Sequence, residues 1–201
     1  MRKIINLLIV LLVLGVFVTG CTTPEVDLSR KGPSRPAGKS NIGHLYLYEK
    51  TDSNPNEPGE WEIVEDGAWG KMKYNLSGAE FDFVFNGHSL VAGESYTLIY
   101  YPDPWPGEGL ICLGIGVVND EGDIHIADSV DTEGDLPIAT DDNADPDETT
   151  YTWDGSTGAK IWLVPSEDVD CEEQTMIGWS YPSGGIYLFE EELINFEDID
   201  D

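Results

Sequence analysis

Basic side chains are scarce in this chain of 201 residues. Ten Lys and Arg stand against 39 Asp and Glu, so the formal net charge is −29 at pH 7. Beyond residue 50 the only bases are Lys71, Lys73 and Lys160. Binding a phosphate backbone requires a basic face, so this charge argues against nucleic acid as a partner. Such acidity is also typical of proteins in brine, where salt screens the self-repulsion.

The common catalytic motifs are missing as well. The chain contains no HExxH, CxxC, GxxxxGK[ST] or GxSxG. Gly114-Ile115-Gly116 lacks the third glycine of a dinucleotide loop, and indicates instead a strand thinned for close packing. The three histidines (His44, His88 and His125) would bind a metal only if the fold gathered them. We therefore expect no enzymatic activity. An extracellular hydrolase is an alternative, because carboxylates are too abundant for a catalytic pair to stand out.

No amphipathic helix of ten residues can be found, and the hydrophobic period is two. Phe81, Phe83 and Phe85 alternate with polar residues, as do Met72, Tyr74 and Leu76. Further strands are predicted at 43–49, 60–65, 95–101, 110–118, 123–127, 159–165 and 185–190. Turn pairs such as Asn86-Gly87 separate them. The pattern predicts an all-β fold, an antiparallel two-sheet β-sandwich over residues 42–201, with a partly closed barrel as the alternative.

The N-terminal segment has the features of a secretory signal. Arg2 and Lys3 precede an apolar run over 4–18 that is shorter than the ~20 residues needed to span a bilayer. Val18-Thr19-Gly20-Cys21 resembles the lipobox of prokaryotic lipoproteins. The resemblance implies that residues 1–20 are a signal peptide and that Cys21 carries the lipid. The protein would then sit on the outer face of the cell membrane. An ordinary cleaved signal and an uncut anchor are the alternatives.

A linker separates the lipidated cysteine from the domain. Residues 21–41 contain three Pro and two Gly with few apolar residues, which predicts a flexible tether. The acidic domain is expected over 42–201, including a short acidic C-terminal tail.

Two cysteines fall inside the predicted domain. Cys112 lies in an apolar strand and Cys171 follows a turn-like segment. Outside the cytoplasm such a pair is expected to form a disulfide, which on the chain-entropy model stabilises the fold by roughly 4 kcal/mol. A buried free thiol at Cys112 is the alternative.

The densest acidic run covers residues 141–148. Its alternate oxygen-bearing side chains follow the spacing of calcium loops and predict a possible Ca²⁺ site at Asp141, Asn143, Asp145 and Asp147. Pro146 stands where an EF-hand loop has Gly, and Thr152 where it has Glu. A solvated acidic loop is the alternative.

Trp105 is the leading candidate for ligand recognition among six Trp. It lies in Tyr101-Pro102-Asp103-Pro104-Trp105-Pro106-Gly107, a proline-stiffened loop between two predicted strands. Loops on rigid sandwiches often carry binding sites, so Trp105 could contact a surface glycan or a protein. Packing in the core is the alternative for any Trp of a sandwich.

Three segments, 70–72, 95–101 and 161–164, are similar to secreted β-sandwich domains of uncharacterised function in archaeal surface proteins. That resemblance implies an extracytoplasmic location and carries over no active site. Taken together, the sequence predicts a lipid-anchored surface protein with a non-enzymatic binding or scaffolding domain. A calcium-stabilised adhesion or glycan-binding module is the alternative.

Overall fold

The structure, a computed structural model, describes residues 40–51, 61–144, 157–181 and 185–200. Over these ranges the chain forms twelve β-strands and one 3₁₀ turn at Ser166–Asp168. The strands are β1 Ile42–Tyr48, β2 Trp69–Asn75, β3 Ser77–Gly78, β4 Phe81–His88, β5 Ser95–Tyr101, β6 Ile111–Val117, β7 Ile124–Val130, β8 Lys160–Pro165, β9 Val169–Asp170, β10 Thr175–Met176, β11 Phe189–Glu190 and β12 Glu197–Asp198. The signal segment and nearly all of the predicted linker lie outside the described residues.

The larger sheet is antiparallel, with the strand order β11-β1-β2-β4-β7. Its long strands alternate between buried and more exposed residues, except in the second half of β7, where Ala127 to Ser129 are all exposed. In β4, Phe81, Phe83 and Phe85 are buried while Asp82 and Val84 are exposed. Because successive side chains of a strand point to opposite faces, this pattern buries one face and leaves the other in solvent.

The smaller sheet has the order β6-β5-β8 and is also antiparallel. Its central strand, β5, is buried on both faces from Tyr96 to Tyr101. The register between β5 and β6 shifts between Leu98 and Ile99, a β-bulge that leaves an extra residue on β6. Something other than the larger sheet must therefore cover the outer face of this sheet.

The two sheets pack face to face around the inner core. Leu45, Met72, Phe85, Leu98 and Leu163 are among its fully buried members. Burying each such side chain contributes roughly 1.5–3 kcal/mol. The structure is all-β and is not closed into a barrel, which confirms the predicted sandwich.

Two glycines of β6 permit the close approach of the sheets. A Cβ atom on Gly114 would lie 2.7 Å from Ile126 Cγ2, and one on Gly116 would lie 2.9 Å from Ile124 Cγ1. The segment is thus a strand thinned for packing, as the sequence analysis indicated, and not a nucleotide loop.

Two strand predictions and one turn prediction need correction. Asn86-Gly87 does not turn but continues β4. Among the described residues 61–65, only Ile63 forms a bridge, with Lys50, because the chain turns directly afterwards at Asp66, whose φ is 61°. In 185–190, the strand is limited to Phe189–Glu190, together with a bridge between Leu188 and Leu163. Within the described part of the chain, no helix is long and apolar enough to cross a membrane.

Candidate functional site

The outer face of the smaller sheet carries a second packed layer, which we call the aromatic layer. Its floor includes side chains of β5, of β8 and of the segment from β9 to β11: Ile99, Tyr101, Trp162, Val164, Val169, Met176, Tyr181, Tyr187 and Phe189. Trp105, Trp179 and Trp61 lie against this floor but remain 53%, 40% and 44% exposed, respectively. We call these three residues the tryptophan face.

Ring contacts connect the tryptophan face to the floor. Trp105 meets Trp179 edge to face with ring centroids 5.8 Å apart. Trp179 in turn lies 4.9 Å from Tyr187 and 6.1 Å from Phe189. Trp61 packs edge to face on Phe189 at 4.6 Å. These separations fall within the range of favourable aromatic pairs. Trp61 and Trp179 therefore pack on buried rings, and Trp105 packs on Trp179.

The loop that carries Trp105 is fixed by its own backbone and by its neighbours. Gly107 N–H donates to Pro104 O at 2.8 Å, and Met176 N–H donates to Pro106 O at 3.0 Å. Gly107 has a φ of +77°, and a Cβ there would lie 2.5 Å from the Tyr101 ring. Glycine therefore lets the loop turn tightly over Tyr101.

A disulfide attaches the smaller sheet to the segment after β8 that covers its outer face. Cys112 on β6 is bonded to Cys171, which follows β9, with Cα atoms 5.8 Å apart and a sequence separation of 59. The predicted pairing is therefore present in the structure. Cys112 packs against the aromatic layer. The bond closes the long chain segment between the two cysteines, and that segment supplies Trp162, Val164 and Val169 to the floor under the tryptophan face.

A buried carboxylate, Asp168, organises the polar groups within the layer. Its Oδ2 accepts hydrogen bonds from Tyr187 Oη and Ser180 Oγ, each at 2.5 Å, and from the backbone N–H of Ser180 at 3.1 Å. Burial raises the pKa of the Tyr187 hydroxyl, and its bond to Asp168 raises it further. Asp168 thereby fixes the segment that carries Trp179.

A second carboxyl group lies beneath the layer, at the strand pair where Glu190 faces Leu47. Its Oε2 is buried and, among the described residues, has no hydrogen-bond partner; the same holds for Trp162 Nε1. Burial raises the pKa of Glu190 to about 7, while Lys50 and Lys160 act in the opposite direction. The Lys50 ammonium donates to the Glu190 backbone oxygen at 2.7 Å.

The structure places two of the four predicted calcium ligands. Asp141 and Asn143 are buried, and Asp141 accepts hydrogen bonds from Tyr100 Oη at 2.6 Å and Asn143 N–H at 2.9 Å. Asn143 Nδ2 donates to Asp103 Oδ2 at 2.7 Å, and the same oxygen contacts Lys160. Desolvation raises the pKa of Asp141. Both side chains thus belong to a protein-satisfied network.

Asp145 and Asp147 lie outside the described residues, so the calcium site stays a prediction. Within the described ranges, no group of three or more His, Cys, Asp or Glu is placed to hold a metal ion. Cys21, the expected lipidation site, also lies outside the described residues.

The sequence analysis identified Trp105 but missed its partners. Trp61 and Trp179 are 44 and 74 positions away in the chain, and no period or motif connects the three. Glu190 and Asp168 sit in acidic stretches that look like solvated surface.

No protein-family model, curated protein or solved structure matches the chain. The lipobox and the resemblance to archaeal surface domains therefore stay predictions, and function must be argued from the geometry.

Proposed function

We propose that this protein is a lipid-anchored, extracytoplasmic binding protein without enzymatic activity, whose β-sandwich binds a neutral glycan at the tryptophan face. The observation that carries this proposal is the set of three partly exposed indoles, Trp61, Trp105 and Trp179, fixed by ring contacts over a buried aromatic floor. Large exposed apolar groups in a fixed arrangement are typical of interaction sites on monomeric proteins.

The chemistry of the site suits a sugar. The C–H face of a pyranose ring is apolar while its hydroxyl groups remain polar, so an indole can stack on the ring without removing every hydroxyl from water. The indoles come from three separate segments, and a hydrogen bond holds each segment beside its indole. Glu62 N–H donates to Thr51 Oγ1 beside Trp61, Met176 N–H donates to Pro106 O beside Trp105, and Ser180 N–H donates to Asp168 Oδ2 beside Trp179. Such preorganisation lowers the ordering cost of binding.

The disulfide supports the location. Disulfides persist in oxidising compartments and are rare in the cytosol, so the Cys112–Cys171 bond agrees with secretion. Lipidation at Cys21 would hold the domain at the outer membrane face through the 21–41 tether. Cys21→Ser should release the protein from the membrane fraction, and a chain that stays membrane-bound would contradict the lipid anchor.

Affinity electrophoresis of the full-length chain tests glycan binding directly. The protein is run in a detergent without a sugar headgroup, through gels containing xyloglucan, galactomannan, laminarin or mannan. We expect at least one polymer to retard the protein. Trp105→Ala should weaken that retardation at least tenfold, because truncating an aromatic anchor typically costs about 2 kcal/mol.

Val117→Ala is the matched control, since Val117 is 65% exposed on the same sheet, at the opposite end of β6 from Cys112 and the aromatic layer. It should leave the retardation unchanged. Migration unaffected by every polymer, or equal retardation of Trp105→Ala and the wild-type chain, would contradict glycan binding at this face.

A further inference from the structure

The opposite side of the sandwich presents the outer face of the larger sheet. Four strands, β1, β2, β4 and β7, are paired there without a register shift. Their outward side chains form four rows across the strands: Tyr48, Trp69 and His88; Tyr46, Lys71, Asn86 and His125; His44, Lys73, Val84 and Ala127; Ile42, Asn75, Asp82 and Ser129. We call this surface the cationic sheet face.

Its charge departs from that of the rest of the chain. All three histidines lie on it, together with Lys71 and Lys73, although the protein has only ten Lys and Arg against 39 acids. Among the described residues, the carboxylates next to this surface lie at its edges: Asp82, in the outermost row, and Glu80 around Ser129, Asp123 beside His88, and Glu191 beyond β1. Two of the three lysines beyond residue 50 and all three histidines of this acidic chain thus share one open surface.

Aromatic rings lie among these cationic groups. Tyr46 and Tyr48 stack along β1 with centroids 6.2 Å apart, and Trp69 lies 4.7 Å from the His88 ring. The Lys71 ammonium sits 5.2 Å from the centroid of Tyr46. Trp69 is 38% exposed. Neighbouring strands are about 4.8 Å apart, so the row from Tyr48 to His88 offers apolar ring surface over roughly 10 Å.

Hydrogen bonds orient the imidazoles. His88 Nδ1 pairs with Asp123 Oδ1 at 2.8 Å, and His125 Nδ1 pairs with Asn86 Oδ1 at 2.9 Å. Each bond uses the nitrogen nearer the backbone and fixes the ring plane, so the Nε2 atom of each ring is the one available to a ligand. Two histidines are therefore held in fixed orientations beside Lys71.

We propose that the cationic sheet face binds an acidic polysaccharide, at a site separate from the tryptophan face. Tyr46, Tyr48 and Trp69 would stack on the apolar faces of successive sugar rings. Lys71 and Lys73 would contact the carboxylates of those sugars, and the Nε2 atoms of His88 and His125 would accept hydrogen bonds from sugar hydroxyl groups. Charge complementarity identifies the occupant as an anion, and the interspersed rings identify it as a polymer of flat, partly apolar units.

Two other partners suit the surface less well. The centre of a protein–protein interface is depleted of charged residues, whereas Lys71 and Lys73 lie at the centre of this face. Duplex DNA carries one charge per about 1.7 Å, which requires far more basic groups than this face offers. A polymer with one carboxylate per sugar is a sparser anion and matches the two lysines more closely.

The net charge of the protein does not prevent such binding. Repulsion from distant carboxylates is screened beyond about 8 Å at physiological ionic strength. Lys71 and Lys73 lie in the two middle rows of the face, whereas the carboxylates bonded to it lie at its edges. Binding should weaken as salt is raised, because Lys73 is exposed and Lys71 is partly exposed.

The test uses the full-length chain and polygalacturonate, a linear polymer of uronic acids. Intrinsic fluorescence is titrated at 0.1 M NaCl under the same detergent conditions. We expect saturable binding that weakens with added salt, and about a tenfold loss of affinity in the double variant Lys71→Gln/Lys73→Gln. Trp69→Ala should lower the affinity to a similar extent, while Trp69→Phe should retain most of it. Lys71→Arg/Lys73→Arg should also bind.

Matched probes and a matched variant decide the outcome. Fully methyl-esterified polygalacturonate has the same backbone without charge and should bind at least tenfold more weakly. Ile115→Ala, which removes an exposed apolar side chain from the other sheet, should bind like the wild-type chain. The proposal is overturned by an absence of binding, by unaltered affinity of the lysine variant, or by polyglutamate binding as tightly as polygalacturonate. None of these results depends on whether the tryptophan face binds neutral glycans.

Discussion

The inner core and the aromatic layer lie on opposite sides of the same three strands, yet they are built differently. The inner core is composed of aliphatic side chains, Phe and Tyr brought in by strict alternation along paired strands. The aromatic layer draws its members from loops and short strands around a buried carboxylate, Asp168, and a disulfide. One is stabilised mainly by burial, the other by burial together with specific bonds.

The inner core and the aromatic layer therefore have different structural roles. Alternation places a residue on a face but does not fix a loop, so the inner core determines the sandwich and leaves its loops unconstrained. The aromatic layer supplies that constraint through Cys112–Cys171, Asp168 and the rings under Trp179. We therefore expect the layer to open without unfolding the sheets, whereas loss of the inner core removes both.

The largest effect should come from Phe85→Ala in the inner core. Phe85 is fully buried on the central strand pair, so truncation removes its apolar contacts and leaves a cavity. We expect the free energy of unfolding, measured by urea denaturation, to fall by about 3–5 kcal/mol. Both the sheets and the aromatic layer should lose their structure in one transition.

Val84→Ala provides the neighbouring control, since Val84 is 39% exposed on the other face of the same strand. This substitution should lower the free energy of unfolding by no more than about 0.5 kcal/mol. A comparable loss in both variants would mean that alternation does not separate core from solvent in β4.

Removing the disulfide tests whether the layer is stabilised separately. Cys112→Ala/Cys171→Ala should cost about 2–4 kcal/mol by freeing a closed loop of 59 residues. Hydrogen exchange should accelerate first at the backbone amides of Ile177, Gly178 and Ser180, which bond to Asp168. Amides of β2 and β4 should retain their protection relative to global unfolding. Uniform acceleration would show that the two regions open together.

The sequence predicted the inner core far better than the aromatic layer, for a physical reason. Two-residue periodicity is a local signal, so Phe81, Phe83 and Phe85 were assigned to one buried face without knowledge of their partners. The tryptophan face depends on contacts between segments up to 128 positions apart, such as Trp61 with Phe189, and no local pattern encodes them. Even the Cys112–Cys171 disulfide was predictable only because these two cysteines are the ones left once Cys21 is assigned to the lipid anchor.

Histidines and lysines of the cationic sheet face show the same limit. Each occupies an ordinary polar position of a strand, and only the order β1-β2-β4-β7 reveals that they share one surface. Glu190 is the reverse case: within the run Glu190-Glu191-Glu192 it appears solvated, but its pairing opposite Leu47 turns its side chain inward.

The smallest effect we predict is the pH dependence due to Glu190, at the junction of the two regions. Burial raises its pKa from 4.5 to about 7, so the folded chain holds this proton more tightly than the unfolded chain. The contribution of Glu190 to the free energy of unfolding is therefore fully present below pH 4.5 and is lost as the pH rises to about 7. Glu190→Gln stays neutral and should lack this loss, which amounts to about 2–3 kcal/mol.

Urea unfolding at pH 4.5 and pH 8 measures the difference. Glu190→Gln should become more stable relative to the wild-type chain between these two pH values, because it lacks the buried carboxyl group that the wild-type chain must ionise at a cost in desolvation. Glu191→Gln changes the same chemical group at an exposed neighbouring position and should follow the wild-type profile. If the free energies of unfolding of Glu190→Gln and the wild-type chain changed equally with pH, the Glu190 carboxylate would be solvated in the folded protein. The junction between the inner core and the aromatic layer would then be open, and the separate opening expected of the disulfide variant would begin there.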